Sequence, residues 1–315
     1  MQQAIVVGGG VSGLTCALRL LGAGLDVRVW TKARALETTS NVAAALWYPF
    51  HAGPPERTTP WALASYPVFR ELARNPASGV CMRDGRELFE NTPEAAGWRE
   101  ELDGFARTAA ADLPVGFEGA YECRVPVIEM PLYLPFLEHR VTDAGGQLEV
   151  RCVESLEEPL AEAEVVVNCS GLASRALAHD ESMYPIRGQV VRVERGSVER
   201  FLIDEGHPAG VTYVVPRSED CVLGGSVAEG SDDLEPSQHT TAAILERCRE
   251  LEPALADARV LSVAVGLRPG RSEVRLEAEE LGGRLVVHNY GHGGAGVTLS
   301  WGCADEVVEC VRTRA

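Results

Sequence analysis

The sequence predicts an α/β protein, a Rossmann-like doubly wound domain with a mostly antiparallel α+β domain inserted into it. Three observations carry this expectation. The chain opens as strand, glycine turn, helix, strand. A second buried apolar strand ends in a glycine turn near residue 171, and a last strand runs directly into the glycine-rich stretch His288–Gly302. Between these segments lie short runs of the kind that pair antiparallel.

Taken in order, Gln3–Val7 (QAIVV) is a continuous apolar strand, as expected in a parallel sheet buried on both faces. Gly8–Gly13 is the turn, Val11–Leu21 has helical apolar spacing, and Gly22 and Gly24 mark its end. Leu25–Trp30 is the second strand. Gly53-Pro54-Pro55 is a breaker cluster, and residues from about 51 to 130 read as turns mixed with short helical patterns. Pro131–Leu137 reads as a helix entered through proline, whose missing N–H costs little there. Glu164–Asn168 is the next buried strand, closed by Cys169-Ser170-Gly171. Val190–Val193, Thr212–Val215 and Cys221–Gly225 read as antiparallel strands, and Thr240–Leu251 as an amphipathic helix. Arg284–His288 is the last strand, and Val297–Cys310 is helix-compatible. These readings assign residues 1–50, 130–187 and 262–315 to the nucleotide-binding domain, and 51–129 and 188–261 to a substrate-binding domain.

Composition narrows the function. A net charge of −17 argues against nucleic acid or an anionic membrane as partner. No apolar run reaches the ~18–20 residues of a membrane span, and the N-terminus lacks the regions of a signal peptide. A cytoplasmic protein is expected. Lys32 is the only lysine and follows a predicted strand, which argues against pyridoxal-phosphate chemistry. Nine cysteines are scattered without C-x-x-C spacing, as small buried hydrophobes would be; one disulfide stays open. His288 and His292 are four apart, but glycines around His292 oppose a helix holding both, so no metal is assigned.

Gly8-Gly9-Gly10-Val11-Ser12-Gly13 fits G-x-G-x-x-G in its required context, after a strand and opening a helix. The acidic residue that should hold the adenosine ribose about 20 residues on is absent. Trp30-Thr31-Lys32-Ala33-Arg34 stands there, and by this fingerprint alone Lys32 or Arg34 could pair with the 2′-phosphate of NADP. The stretch His288–Gly302 holds five glycines, Gly291, Gly293, Gly294, Gly296 and Gly302, before and within a helix start. Glycine admits close backbone approach, and a helix N-terminus supplies unpaired N–H groups, so this is a main-chain cradle for something flat or anionic. Arg268, Arg271 and Arg275 put three arginines in eight residues. A guanidinium can clamp a carboxylate through two parallel hydrogen bonds, although charge alone describes a salt-bridged loop better. Tyr213, on a strand, reads from sequence as packing.

Several segments together resemble the D-amino-acid oxidase family. They are Ser40–Phe50 (SNVAAALWYPF), Met130–Pro135, Val167–Gly171, Arg187–Gln189, Tyr213–Pro216, Gly266–Pro269 with Arg275–Glu277, and His288–Gly302. They occur in the family's order over nearly the whole chain, and the last two blocks are specific to it. The resemblance implies an FAD-binding, glutathione-reductase-like fold. It implies oxidative deamination of D-amino acids by hydride transfer to FAD, reoxidised by O2, giving 2-oxo acid, ammonia and H2O2. FAD contacts would map to Gly8, Gly10, Val11, Ser12 and Gly13; to Thr38, Thr39 and Ser40; to Ala44, Ala45 and Trp47; to Gly171; and to Gly293, Gly294, Gly296, Val297 and Thr298. Thr31 and Lys32 stand for the ribose by position only. The family's carboxylate-binding arginine corresponds to Arg268 and its carboxylate-binding tyrosine to Tyr213, while the Gly294 carbonyl would accept from the substrate amine. Arg271 and Arg275 keep the salt-bridge reading.

The chain departs from the family at two places. The loop Glu205–Val211 is short and lacks the lid tyrosine of the eukaryotic enzymes, and Phe50 stands where a pocket tyrosine is common. The resemblance leaves a homodimer open. Rival readings are a D-aspartate oxidase, whose extra basic group could only be His207, a glycine- or sarcosine-type oxidase, and a flavin-binding protein without turnover.

Overall fold

The computed structural model describes residues 2–314 apart from 51, 92, 94–96, 110–112 and 209. The chain runs through β1 (Gln3–Val7), α1 (Val11–Gly22), β2 (Asp26–Thr31), α2 (Pro55–Leu72), β3 (Val80–Phe89), β4 (Ala106–Ala109) and β5 (Gly119–Ile128). There follow α3 (Met130–Asp143), β6 (Gln147–Val150), α4 (Glu157–Glu162), β7 (Val165–Asn168), α5 (Ser174–Leu177), β8 (Tyr184–Glu194) and β9 (Phe201–Asp204). The last part is β10 (Thr212–Pro216), β11 (Asp220–Gly224), β12 (Ala228–Glu229), α6 (Gln238–Leu251), β13 (Val260–Gly270), β14 (Arg275–Leu281), β15 (Arg284–Tyr290) and α7 (Gly296–Arg314).

Six strands form the first sheet in the order β14-β15-β7-β1-β2-β6. All pairings in it are parallel except β14 with β15. The unbroken apolar run of β1 has its cause here. Ala4 and Val6 point into the core that holds α1, α3 and α7, while Ile5 and Val7 point to the opposite face, against Leu156 and Leu160. A strand covered on both sides has no polar face to show.

Nine strands form the second sheet, in the order β12-β8-β11-β10-β9-β3-β5-β4, with β13 also on β8. Alternation sorts its two faces. Val191, Val193, Val214 and Leu223 pack on Ile244, Cys248 and Leu251 of α6. Their neighbours Val190, Tyr213 and Val215 line a cavity between the sheet and the glycine turns of the first layer.

Three sequence expectations change. Residues 55–72 are one helix of 18 residues, and Pro55 starts it where a breaker cluster was expected. Pro60 and Pro67 inside that helix interrupt its periodicity. β3 and β5 pair over ten residues in what read as turns, because Arg83, Asp84, Arg86 and Glu87 hide the alternation of β3. β13 pairs with β8 along its length, so the boundary at 262 falls inside a strand of the second sheet, and the first sheet resumes only at β14.

Gly302 serves packing. A Cβ there would run into the Trp61 backbone of α2, and its N–H donates to Ser65 Oγ at 2.9 Å. The glycine therefore lets α2 and α7 cross closely. No helix among the described residues is long and apolar enough to cross a membrane. None of the nine cysteines is bridged.

Candidate active site

One cavity of about 690 Å³ runs from the β1–α1 turn to the inner face of the second sheet. Its first wall is the glycine turn. Gly8 has φ +117°, and a Cβ there would run into the Cys169 carbonyl at the end of β7. At Gly13 a Cβ would strike the Gly8 carbonyl, so only glycine lets the helix close on the turn. The α1 N-terminus carries no side-chain cap; instead the Val11 N–H donates to Ser40 Oγ at 3.1 Å. Thr31 braces the same turn, accepting from the Gly9 N–H and donating to the Ala33 carbonyl at 2.7 Å.

The opposite wall is the start of α7. Gly291 and Gly293 have φ +81° and +53°, which fold β15 back before the helix begins. Thr298 Oγ1 accepts from the Tyr48 N–H and donates to the Tyr48 carbonyl, clipping the 47–50 segment to the first turn of α7. Beside it a Cβ on Gly294 would lie 2.6 Å from Phe50 Cδ1 and 3.1 Å from the Phe50 carbonyl oxygen. The N-terminal turns of two helices thus reach one cavity, an arrangement suited to a ligand bearing negative charge.

His292 sits beneath this wall, buried, its Nε2 2.9 Å from Asn289 Oδ1. Burial pushes its pKa down to about 4. Below the ordinary histidine range the unfolded chain takes up a proton that the folded protein refuses, so stability falls as pH drops from 6.5 to about 4, by up to roughly 3 kcal/mol. The melting temperature of His292→Gln should show a shallower fall over that window, with His288, also shifted down by burial, leaving a residual slope. An unchanged slope would remove His292 from the account. His288 Nε2 faces Glu279 Oε1 at 2.9 Å, so the two histidines serve separate polar contacts.

At the far end the second sheet brings Arg268 and Tyr213 together. The Arg268 guanidinium lies over Gly188, where a Cβ would strike it, and its Nη1 donates to the Ser226 carbonyl at 3.2 Å. The Tyr213 ring lies on Gly224, where a Cβ would likewise strike it, and it shares the cavity with Arg268, whose charge acts on its hydroxyl. Burial raises the Tyr213 pKa against the opposing pull of Arg268, so the phenol stays protonated and able to donate. Among the described residues no carboxylate forms an ion pair with Arg268. Its neighbours differ: Arg271 binds Asp180 at 3.0 Å, and Arg275 binds Glu277, Glu279 and the Tyr290 hydroxyl. Of the three arginines, only Arg268 has no carboxylate partner among the described residues.

Most of the residues singled out by sequence line this cavity: Gly8, Gly10, Val11, Ser12, Thr31, Lys32, the 38–40 and 44–45 segments, Gly171, Gly293, Gly294, Gly296, Val297, Thr298, Tyr213 and Arg268. Two do not. Gly13 serves turn packing, and Trp47 is fully buried, its Nε1 donating to the Ala62 carbonyl and its ring edge-on to Tyr66 and Trp98. Of the loop 205–211, Ala209 lies outside the described residues. Glu205 and Val211 line the cavity and His207 does not. Sequence reading missed Gly188 and Gly224, which make room for the Arg268 and Tyr213 side chains. The signal was present as glycines inside strands, which often mark a close approach.

A family model described as FAD dependent oxidoreductase matches residues 3–310. A D-amino-acid oxidase of Rubrobacter xylanophilus is 54% identical over 308 residues, 97% of this chain and 94% of that one. A D-amino-acid oxidase of Streptomyces coelicolor is 44% identical, covering 96% and 95%. Among solved structures, glycine oxidase from Geobacillus kaustophilus superposes with a TM-score of 0.82 at 20% identity, covering 99% of this chain and 95% of that one.

Proposed function

Since the chain belongs to the FAD dependent oxidoreductase family, we propose that it converts a D-amino acid, O2 and water to a 2-oxo acid, ammonia and H2O2. The observation that carries this reading is the Arg268–Tyr213 pair, joined by no carboxylate among the described residues and suited to clamp one, in the cavity that begins at a dinucleotide turn.

The residues present fit FAD: Gly8, Gly9 and Gly10 line the cavity with bare main chain, and the starts of α1 and α7 line the same cavity. Gly8 and Gly10–Ser12 would hold the pyrophosphate, Thr38–Ser40 and Lys32 the adenosine half, and Gly293–Thr298 the ring. Thr31 is a weaker candidate for the ribose, because its proton is committed to Ala33. When bound, FAD supplies acceptance of the substrate's α-hydrogen as hydride and transfer of the electron pair to O2. Arg268 and Tyr213 orient the carboxylate, and the Gly294 carbonyl accepts from the amine. Fixing carboxylate, amine and side chain together selects one enantiomer. No side-chain acid or base is needed at the reacting carbon.

A D-aspartate oxidase would need a second cation for the side chain. His207 does not reach the cavity, and Arg99, which lines the neighbouring one, is bound to Glu87. Nine unbridged thiols suit a reducing, cytoplasmic setting. The purified protein should show a flavin spectrum and release H2O2 with neutral D-amino acids, while their L-enantiomers, D-aspartate, glycine and sarcosine give far less. Colour without H2O2 on every D-amino acid, or faster turnover of glycine or sarcosine, would overturn the proposal.

A further inference from the structure

A second cavity of about 500 Å³ adjoins the first and shares Tyr48, Phe50, Glu205 and Val211 with it. Strand register explains why a carboxylate stands there. Tyr213 on β10 lies opposite Ile203 on β9, which lies opposite Glu87 on β3. Glu205 directly follows β9, and from there it lines both cavities. Glu205 is exposed, and among the described residues it is the one carboxylate lining the second cavity.

The other charged groups nearby do not cancel it. Arg99 lines the same cavity, but both carboxylate oxygens of the buried Glu87 bind it. The Tyr48 hydroxyl completes this unit, donating to Glu87 at 2.6 Å and accepting from Arg99 at 3.0 Å. Among the described residues, Glu87 and Arg99 offset each other, and Glu205 adds a negative charge beside walls of Phe50, Trp98, Val211 and Val227.

We infer that Glu205 determines side-chain specificity, and that this subsite takes D-amino acids whose apolar stem ends in an ammonium or guanidinium group. The inference rests on the proposed D-amino-acid oxidation. With its carboxylate on Arg268 and Tyr213, a substrate with a long side chain would extend from the first cavity toward Glu205 at its junction with the second. The stem would lie along Phe50 and Val211, and the cation would meet the Glu205 charge. Partial desolvation at the cavity wall and the nearby Glu87 raise the carboxyl pKa of Glu205, and an arriving cation favours its ionised form. Acidic side chains are repelled at the same place.

The test compares the flavin-loaded wild type and Glu205→Gln on D-lysine, D-norleucine and D-glutamate, three side chains of similar reach and different charge. In the wild type D-lysine should exceed D-glutamate in kcat/KM. In Glu205→Gln the ratio of D-lysine to D-norleucine should fall about tenfold, the loss of one charge-assisted contact. That ratio in the wild type should also fall with added salt, because the carboxylate is exposed. An unchanged ratio in the variant, or a wild type that prefers D-glutamate, would overturn the inference and leave the oxidase reading standing. Absence of turnover on D-norleucine as well as D-lysine, with flavin bound, would overturn both.

Discussion

Arg268→Ala is expected to lose at least ~100-fold in kcat/KM on D-amino acids while keeping its flavin. The guanidinium is held over Gly188 by a single backbone contact to Ser226, with no carboxylate paired to it among the described residues. A bidentate carboxylate on it gains two charge-assisted hydrogen bonds, each about 1.5–3 kcal/mol. Their loss is therefore ~3 kcal/mol or more, and tenfold in rate corresponds to 1.4 kcal/mol. Tyr213 remains but cannot supply the charge. The flavin should stay, because the main-chain cradle at Gly8 and Gly294 is made by other elements. Steady-state kinetics and the absorption spectrum of the purified variant check both halves. Activity within a few-fold of wild type would mean that the carboxylate binds elsewhere.

Gly294→Val should damage flavin binding and turnover together. Its Cβ would lie 2.6 Å from the Phe50 ring and 3.1 Å from the Phe50 carbonyl oxygen. The ring can rotate away, but the carbonyl belongs to a segment clipped to Thr298 through both polar groups of Tyr48. The added methyls must displace that segment or enter the cavity. Overpacking of this kind costs about 1–3 kcal/mol, or about 10–100-fold in flavin affinity. Flavin content after dialysis and activity with excess FAD separate the two effects: the first should fall, and the second should not recover fully. A variant that retains flavin and full rate would show that Gly294 touches neither ligand.

The two layers of the molecule were unequally readable. β1 and β7 are buried on both faces, so each is a plain apolar run next to a glycine turn. Helix α2 carries internal prolines, and β3 sits half-exposed with alternating charge, so neither shows a clean period. Arg268 stood out only because a family pattern surrounded it; what distinguishes it from Arg271 and Arg275 is the presence of Asp180 and two glutamates beside them, which spacing does not reveal. Trp47 lies among true cavity residues in sequence, yet its side chain points the other way, into the aromatic cluster with Tyr66 and Trp98. Glu205 carried no signal at all. Its role depends on β3, β9 and β10 lying side by side and on Arg99 arriving from another segment.

The central claim is that a flavin cradle and an enantiomer-selecting carboxylate clamp share one cavity. Anaerobic mixing of the purified yellow protein with the two enantiomers of one neutral amino acid tests it most directly. Rapid loss of the flavin absorbance with the D-form and none with the L-form is the expected result. Equal bleaching by both enantiomers, or an unbleached flavin with every D-amino acid offered, would contradict it.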